Sequence, residues 1–292
     1  MKDHAPVEVE LKLALPSTSI AALLSYPALG AAPTRSHLAN TYYDTPDGAL
    51  ASAGIALRLR KIGAATLQTV KTRGHGGGGL STRSEWEWPV KGELDLDSLK
   101  ALPPFEGELS STIAALSPHL RTDFERRSWL IDWSDSRIEL VLDEGEIECQ
   151  GARATICEVE LELKSGSPQA LWSLALSLSA QTPLRPSDSS KAARGNALGQ
   201  KAWALPEATT PGEWLHRATV ALDAFNDSGE RAYFEHAEHA YKTLAEHSAL
   251  DETLRPTAAA LYRALDDQRL TISFGYNALS LAHRLALQSA LS

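Results

Sequence analysis

The chain has 292 residues, room for one large domain and a smaller one. Hydrophobic residues make up 43% and charged residues 22%, and the net charge of −9 argues against a surface built to attract nucleic acid or an acidic membrane. The two cysteines, Cys149 and Cys157, are too few for a disulfide framework or a cysteine-based zinc site. They suit a reducing, cytoplasmic setting. The N-terminal stretch MKDHAPVEVELKL lacks a basic-then-apolar leader, and no apolar run approaches membrane-spanning length.

Period-two alternation dominates the first two-thirds of the chain and helical periodicity the last third. Strands are expected at 7–13, 38–44, 55–62, 66–73, 84–90, 125–132, 137–143, 146–149, 154–164 and 183–187, with helices at 17–25, 110–116, 168–180 and 190–203. The run Gly74–Gly79 contains His75 and lacks the Lys-Ser/Thr that follows a phosphate-binding loop, so it reads as a hairpin connection. From Trp203 the sequence WALPEATTPGEWL, with two prolines and a threonine pair, marks a linker at 205–211 between a first domain (1–204) and a helical region (212–292). There, helices are expected near 212–226, 229–247, 255–268 and 272–291, with Pro256 at a helix start, where a missing N–H costs nothing.

Strand 7–13 puts Glu8, Glu10 and Lys12 on one face and Val7, Val9, Leu11 and Leu13 on the other. Alone, this is a half-buried strand with a solvated face. The pattern recurs, however: Arg58 with Arg60; Thr69 with Lys71 and Arg73; Arg83 with Glu85 and Glu87; Glu139 with Asp143; Glu158 with Glu160 and Glu162. The apolar faces match the interleaved helices, which need a sheet to pack on. The charged faces then form an open concave sheet or curl inward, and about eight strands suffice to close a narrow barrel. The expected class is α+β: a closed eight-stranded antiparallel barrel covered by helices, then a small all-α region. Buried charge is costly unless paired or neutralised by ligand. Acidic strands 7–13 and 154–164 suit hard divalent cations, and the Lys and Arg rows suit phosphate oxygens.

The strand VEVELKL carries the Glu-x-Glu-x-Lys signature of the CYTH superfamily, the triphosphate tunnel metalloenzymes. NTYYDTPDGAL, IALRLRK, RSEWEW, TDFERRSWL, VLDEGEIE, ICEVELELKSG and SKAARG follow in the family's order, so residues 5–203 resemble bacterial inorganic triphosphatases in which a CYTH domain precedes a helical CHAD domain. The resemblance implies metal ligation by Glu8, Glu10, Asp143, Glu158, Glu160 and Glu162, with Mg²⁺ or Mn²⁺, two ions in all. It implies phosphate binding by Lys12, Arg58, Arg60, Lys71, Arg126, Lys191 and Arg194. Lys191 and Arg194, one helical turn apart, would aim at one phosphate. Arg126 rather than its neighbour Arg127 is expected to point inward. Glu85 and Glu87 would line the tunnel. Arg73, Arg83 and Glu139 have the right parity and either sit at its mouth or pair with each other. Tyr42, Tyr43 and Asp44 read as fold-forming.

The implied activity is metal-dependent hydrolysis of inorganic tripolyphosphate to pyrophosphate and phosphate, with Glu10, Lys12, Lys71 and Glu160 as catalytic groups and the general base either a lumenal carboxylate or a lysine. The superfamily also holds class IV adenylyl cyclases and thiamine and RNA triphosphatases, and a non-catalytic polyphosphate-binding module is a further reading. The partner implied is a small polyphosphate, not nucleic acid or membrane. Residues 212–292 are shorter than a full CHAD domain and lack its dense basic rows; a shortened remnant, a dimerisation element and a cap on the tunnel all fit. His236 and His239 share a helical face there, and with His216 and His247 they read most simply as a solvated or partly buried face.

Overall fold

The alternating segments form one ten-stranded antiparallel sheet in the computed structural model, which describes residues 7–30 and 32–291. Residues 1–6, the start of the stretch read above for a leader and of the first domain, lie outside the described residues. The strands are β1 (Val7–Ala14), β2 (Thr34–Asp44), β3 (Ala56–Ile62), β4 (Ala65–Lys71), β5 (His75–Gly77), β6 (Leu80–Val90), β7 (Ser117–Trp133), β8 (Ser136–Cys149), β9 (Ala152–Ser165) and β10 (Arg185–Pro186). Their order is β10-β1-β9-β8-β7-β2-β3-β4-β6-β5, and β1 also pairs with β6. That pairing closes the eight strands from β1 to β6 into the expected barrel. β1 makes closure possible by using both edges: Val7–Leu11 pairs with β6, while Glu10–Ala14 pairs with β9.

The helices are α1 (Ile20–Leu24), α2 (Ala49–Ser52), α3 (Leu96–Lys100), α4 (Gln169–Ser179), α5 (Lys191–Gln200), α6 (Pro211–Ser228), α7 (Arg231–Glu246), α8 (Arg255–Ala264) and α9 (Ile272–Leu291). The helix expected at 17–25 is a 3₁₀ turn running into α1, and that at 110–116 is a 3₁₀ segment, Gly107–Ala115. The strands expected at 137–143 and 146–149 are one, β8. Gly145 lets it continue, because a Cβ there would lie 2.1 Å from the Asp123 carbonyl oxygen on β7. The strand expected at 183–187 shrinks to two residues, one of them Pro186, which has no N–H to extend a ladder. Helices α2 and α3 were not expected; Asp44 accepts from the Leu50 and Ala51 amides, and Asp95 caps α3 through the Ser98 amide.

Apolar faces turn outward to meet the helices. Leu57 and Val70 pack under Leu50, Leu99, Phe105 and Ile113. Leu11, Leu13, Leu140 and Leu161 pack under Leu171 and Leu174 of α4, and the same cluster runs on into Leu215, Phe234, Tyr241 and Leu281 of the C-terminal helices. Residues 202–209 have no regular structure, and the two regions share one continuous core. α6 starts with a capping box between Thr210 and Glu213. Gly275 of α9 lies so close to Leu184 that a Cβ would sit 2.0 Å from its carbonyl oxygen. No helix among the described residues is long and apolar enough to cross a membrane.

Candidate functional site

Strand alternation, with closure, turns the charged rows into the lumen. Its innermost end is apolar: Phe124, Ile147 and Ile156 pack with Leu198 of α5. Gly195 permits that contact, since a Cβ there would come within 2.7 Å of Leu120. Beyond this floor lies a cavity of about 1200 Å³ whose walls include Glu10, Lys12, Arg60, Lys71, Arg126 and Glu160.

At the floor, Asp143 of β8 and Glu158 and Glu160 of β9 bring carboxylate oxygens within 4.8 Å of one another. Register fixes this: Asp143 is paired with Glu158 across the β8–β9 ladder, and Glu160 follows two residues on. Lys191 Nζ donates to Asp143 at 2.7 Å, to Glu160 at 3.0 Å and to Glu158. Arg126 makes a two-point bond to Asp143, both distances 2.7 Å, and reaches Glu160 at 2.9 Å. Arg127 turns away and bonds Glu144, as its parity requires. Burial opposes the charge on Lys191 and Arg126, but these carboxylates raise both pKa values above their ordinary ranges. Burial likewise opposes ionisation of Glu160, yet Lys191, Arg126 and Lys12 hold its carboxyl well below the usual range. Lys191 is the first residue of α5, where the helix dipole disfavours a cation, so the acidic cluster is what holds it there. Three convergent carboxylates fit a hard divalent cation.

The other acids expected at the metal stand apart. Glu8 accepts from Lys71 at 2.9 Å and from Arg83 at 2.7 Å, and Glu10 accepts from Arg83 at 2.8 Å. Arg83, expected either at the tunnel mouth or paired with Arg73 or Glu139, is thus the cation that joins the two glutamates of β1. Burial works against its charge, and Glu10 and Glu8 outweigh it, raising its pKa. Glu85 pairs with Lys71 at 3.0 Å. Glu87 accepts from Thr69 at 2.8 Å and is exposed at the rim. Glu162 and Glu139 share Lys164 at the mouth, at 2.7 and 2.8 Å, and Arg73 is exposed.

Three cations make no ion pair shorter than 4.0 Å among the described residues. Arg60 donates to Asn40 at 2.8 Å and makes no ion pair among the described residues; its pKa falls to about 10, first from burial and then from Arg58 and Arg126. Arg58 is buried with Nε unpartnered, its nearest acid Glu85 4.0 Å away and Tyr42 Oη at 3.4 Å. Lys12, 5% exposed, donates among the described residues to the Ser189 carbonyl at 3.0 Å. Tyr42, read from sequence as fold-forming, therefore belongs to the lumen: burial would raise its pKa, but Arg58, Arg60 and Lys191 lower it.

The helical region also reaches the site, through residues that sequence reading missed. Arg194 lines the cavity with Lys191 but is gripped by Asp227 of α6 at 2.7 and 2.9 Å and touches Glu158 at 3.2 Å. Asp223, one turn earlier, accepts from Arg185, Ser187 and the Asp188 and Ser189 amides. The one available signal was their i, i+4 spacing on an apolar helix. In the glycine run, the Gly78 and Gly79 amides donate to the Asp188 carboxylate at 3.2 and 2.6 Å. His236 and His239 go separate ways, one beside Tyr233 and the other edge-on to Trp214.

Fold and site together define a β-tunnel protein whose lumen pairs an acidic metal-type cluster with anion-seeking cations. The chain belongs to the CYTH domain family, which it matches over residues 6–195. An inorganic triphosphatase of Haemophilus influenzae is 39% identical over 166 residues, 56% of this chain and 46% of that protein. The chain thus matches less than half the length of that relative. Among solved structures, a candidate adenylyl cyclase from Hippeastrum with a dominant triphosphatase activity aligns with a TM-score of 0.47 and 23% identity, covering 65% of this chain and 95% of that one. A Pyrococcus horikoshii protein aligns with a TM-score of 0.40 and 19% identity, covering 59% and 88%.

Proposed function

We propose that the protein hydrolyses inorganic tripolyphosphate to pyrophosphate and phosphate within this tunnel. The observation that carries the reading is Arg60: a partly buried side chain whose guanidinium is held by a neutral amide, with Arg58 and Arg126 acting against its charge and no ion pair among the described residues. Such a group is stabilised when a polyanion enters.

Lys12, Arg58, Arg60 and Lys71 take non-bridging oxygens of the chain, with Arg126, Lys191 and Arg194 completing the cationic wall. Fixed donors of this kind stabilise charge that grows on the transferred and leaving oxygens. Asp143, Glu158 and Glu160, with Glu8, Glu10 and Glu162 as further oxygen donors, would hold Mg²⁺ or Mn²⁺, two ions in all, which neutralise phosphate charge and activate water. Glu10, Lys12, Lys71 and Glu160 are the groups that hold or move the proton of that water. Residues 1–204 form the tunnel domain, 205–211 the linker and 212–292 a helical region that also offers an oligomer contact. The setting is cytoplasmic, without nucleic-acid or membrane partners.

The test is phosphate release from tripolyphosphate, ATP and thiamine triphosphate with Mg²⁺ or Mn²⁺, comparing wild type with Arg60→Met. Metal-dependent release from tripolyphosphate, reduced about 10²- to 10³-fold in the variant, is expected. Tight binding of tripolyphosphate with no turnover of any of the three would refute hydrolysis and leave a binding module. Preference for ATP with a cyclic product would make it a cyclase.

A further inference from the structure

His216 is the sixth residue of α6 and its side chain is 36% exposed, on the wall of the same cavity as the tunnel cations. Its Nδ1 lies 2.7 Å from Asp188 Oδ2. Asp188 is itself fixed by the Gly78 and Gly79 amides, and its own amide donates to Asp223 at 3.0 Å. The ring is therefore oriented by a carboxylate anchored on both sides. With Nδ1 committed to Asp188, Nε2 is left with no hydrogen-bond partner among the described residues. The next residue, Ser189, offers its carbonyl to Lys12 Nζ, so His216 and Lys12 hang from consecutive positions of one segment.

We propose that His216, supplied by the helical region, is a substrate-binding residue whose Nε2–H contacts the end of a bound phosphate chain beside Lys12. This rests on the triphosphate reading and extends it: the C-terminal helices then contribute a ligand group to the tunnel.

The charged groups around the ring are few. The segment before α5 presents Asp188. α6 presents Asp223, which is paired with Arg185 at 2.6 Å. The β5–β6 hairpin meets His216 with Gly77, and α9 meets that hairpin with Ala282 against Gly78. The hydrogen bond and charge of Asp188, against some loss from burial, raise the imidazole pKa, with Asp223 adding to it. The ring is thus more fully cationic near neutral pH than a free histidine.

The test is His216→Asn, whose side-chain amide can still donate to Asp188 from the position of Nδ1 but has nothing at Nε2. Tripolyphosphate binding is measured by calorimetry at pH 6.0 and pH 8.5 without divalent metal, and turnover is measured in parallel. A variant that binds about threefold to tenfold more weakly at pH 6.0, with the gap closing at pH 8.5 and the melting temperature unchanged, is expected. Equal binding by variant and wild type at both pH values would reduce His216 to a tether and overturn the proposal alone. Wild type that neither binds nor hydrolyses tripolyphosphate would overturn it together with the triphosphate reading.

Discussion

Arg194 on α5 and Asp227 on α6 form a two-point ion pair, Nε to Oδ2 at 2.9 Å and Nη2 to Oδ1 at 2.7 Å, in which both side chains are almost wholly buried. It fastens the helical region to a residue that also touches Glu158. Burial disfavours the charge on Arg194, and Asp227 followed by Glu158 more than restores it. Asp227→Asn removes the carboxylate that grips the buried guanidinium from two sides and leaves it Glu158 and the Thr155 carbonyl, so a loss of about 3 kcal/mol is expected in urea denaturation. Asp227→Glu should recover part of it.

Arg60 has the opposite balance. Because its folded pKa, about 10, lies below the ordinary arginine value, the unfolded chain binds more protons between the two. Stability should therefore rise with pH through that window, and below it the charge is a steady cost. Arg60→Met is expected to raise the melting temperature of the unliganded protein by about 2 °C at pH 7, with the advantage shrinking above pH 10. Calorimetric melts at both pH values check this.

The lumenal acids should rank by burial rather than by their place in the sequence pattern. Asp143 is fully buried between Lys191 and Arg126, whereas Glu162 is a third exposed and shares Lys164 with Glu139. Asp143→Asn should cost about 3–5 kcal/mol, and Glu162→Gln less than about 1 kcal/mol. Denaturant midpoints of the two variants measure the contrast.

Removing one oxygen donor from the acidic cluster should weaken metal activation before it weakens the fold. Glu160→Gln keeps the shape but removes one of the three convergent carboxylates. The Mg²⁺ concentration for half-maximal phosphate release is expected to rise about 10- to 100-fold. An unchanged metal requirement would remove Glu160 from the metal site.

Gly275 tests how firmly the helical region is docked. Gly275→Ala drives a methyl group into the backbone of Leu184, so α9 must shift. A loss of about 1–3 kcal/mol is expected, in a single unfolding transition because both regions share one core. Two separate transitions in the wild type would contradict that.

Alternation alone determined which side chains share a face: Glu8 with Glu10 and Lys12, Arg58 with Arg60, and Glu158 with Glu160 and Glu162 all reach the lumen side together. Parity also required that only one of Arg126 and Arg127 turn inward, and the family resemblance pointed to Arg126. These are local properties, because successive strand residues point to opposite faces whatever the strand's partners. Which charges meet was decided by register and closure. Six acids looked equivalent as metal ligands, yet the β8–β9 ladder gathers Asp143, Glu158 and Glu160, while closure of β1 against β6 gives Glu8 and Glu10 to Arg83. Nothing in SKAARG shows that Arg194 is held by Asp227, 33 residues away on another helix. Long-range partners are set by packing, and a one-dimensional pattern carries no record of them.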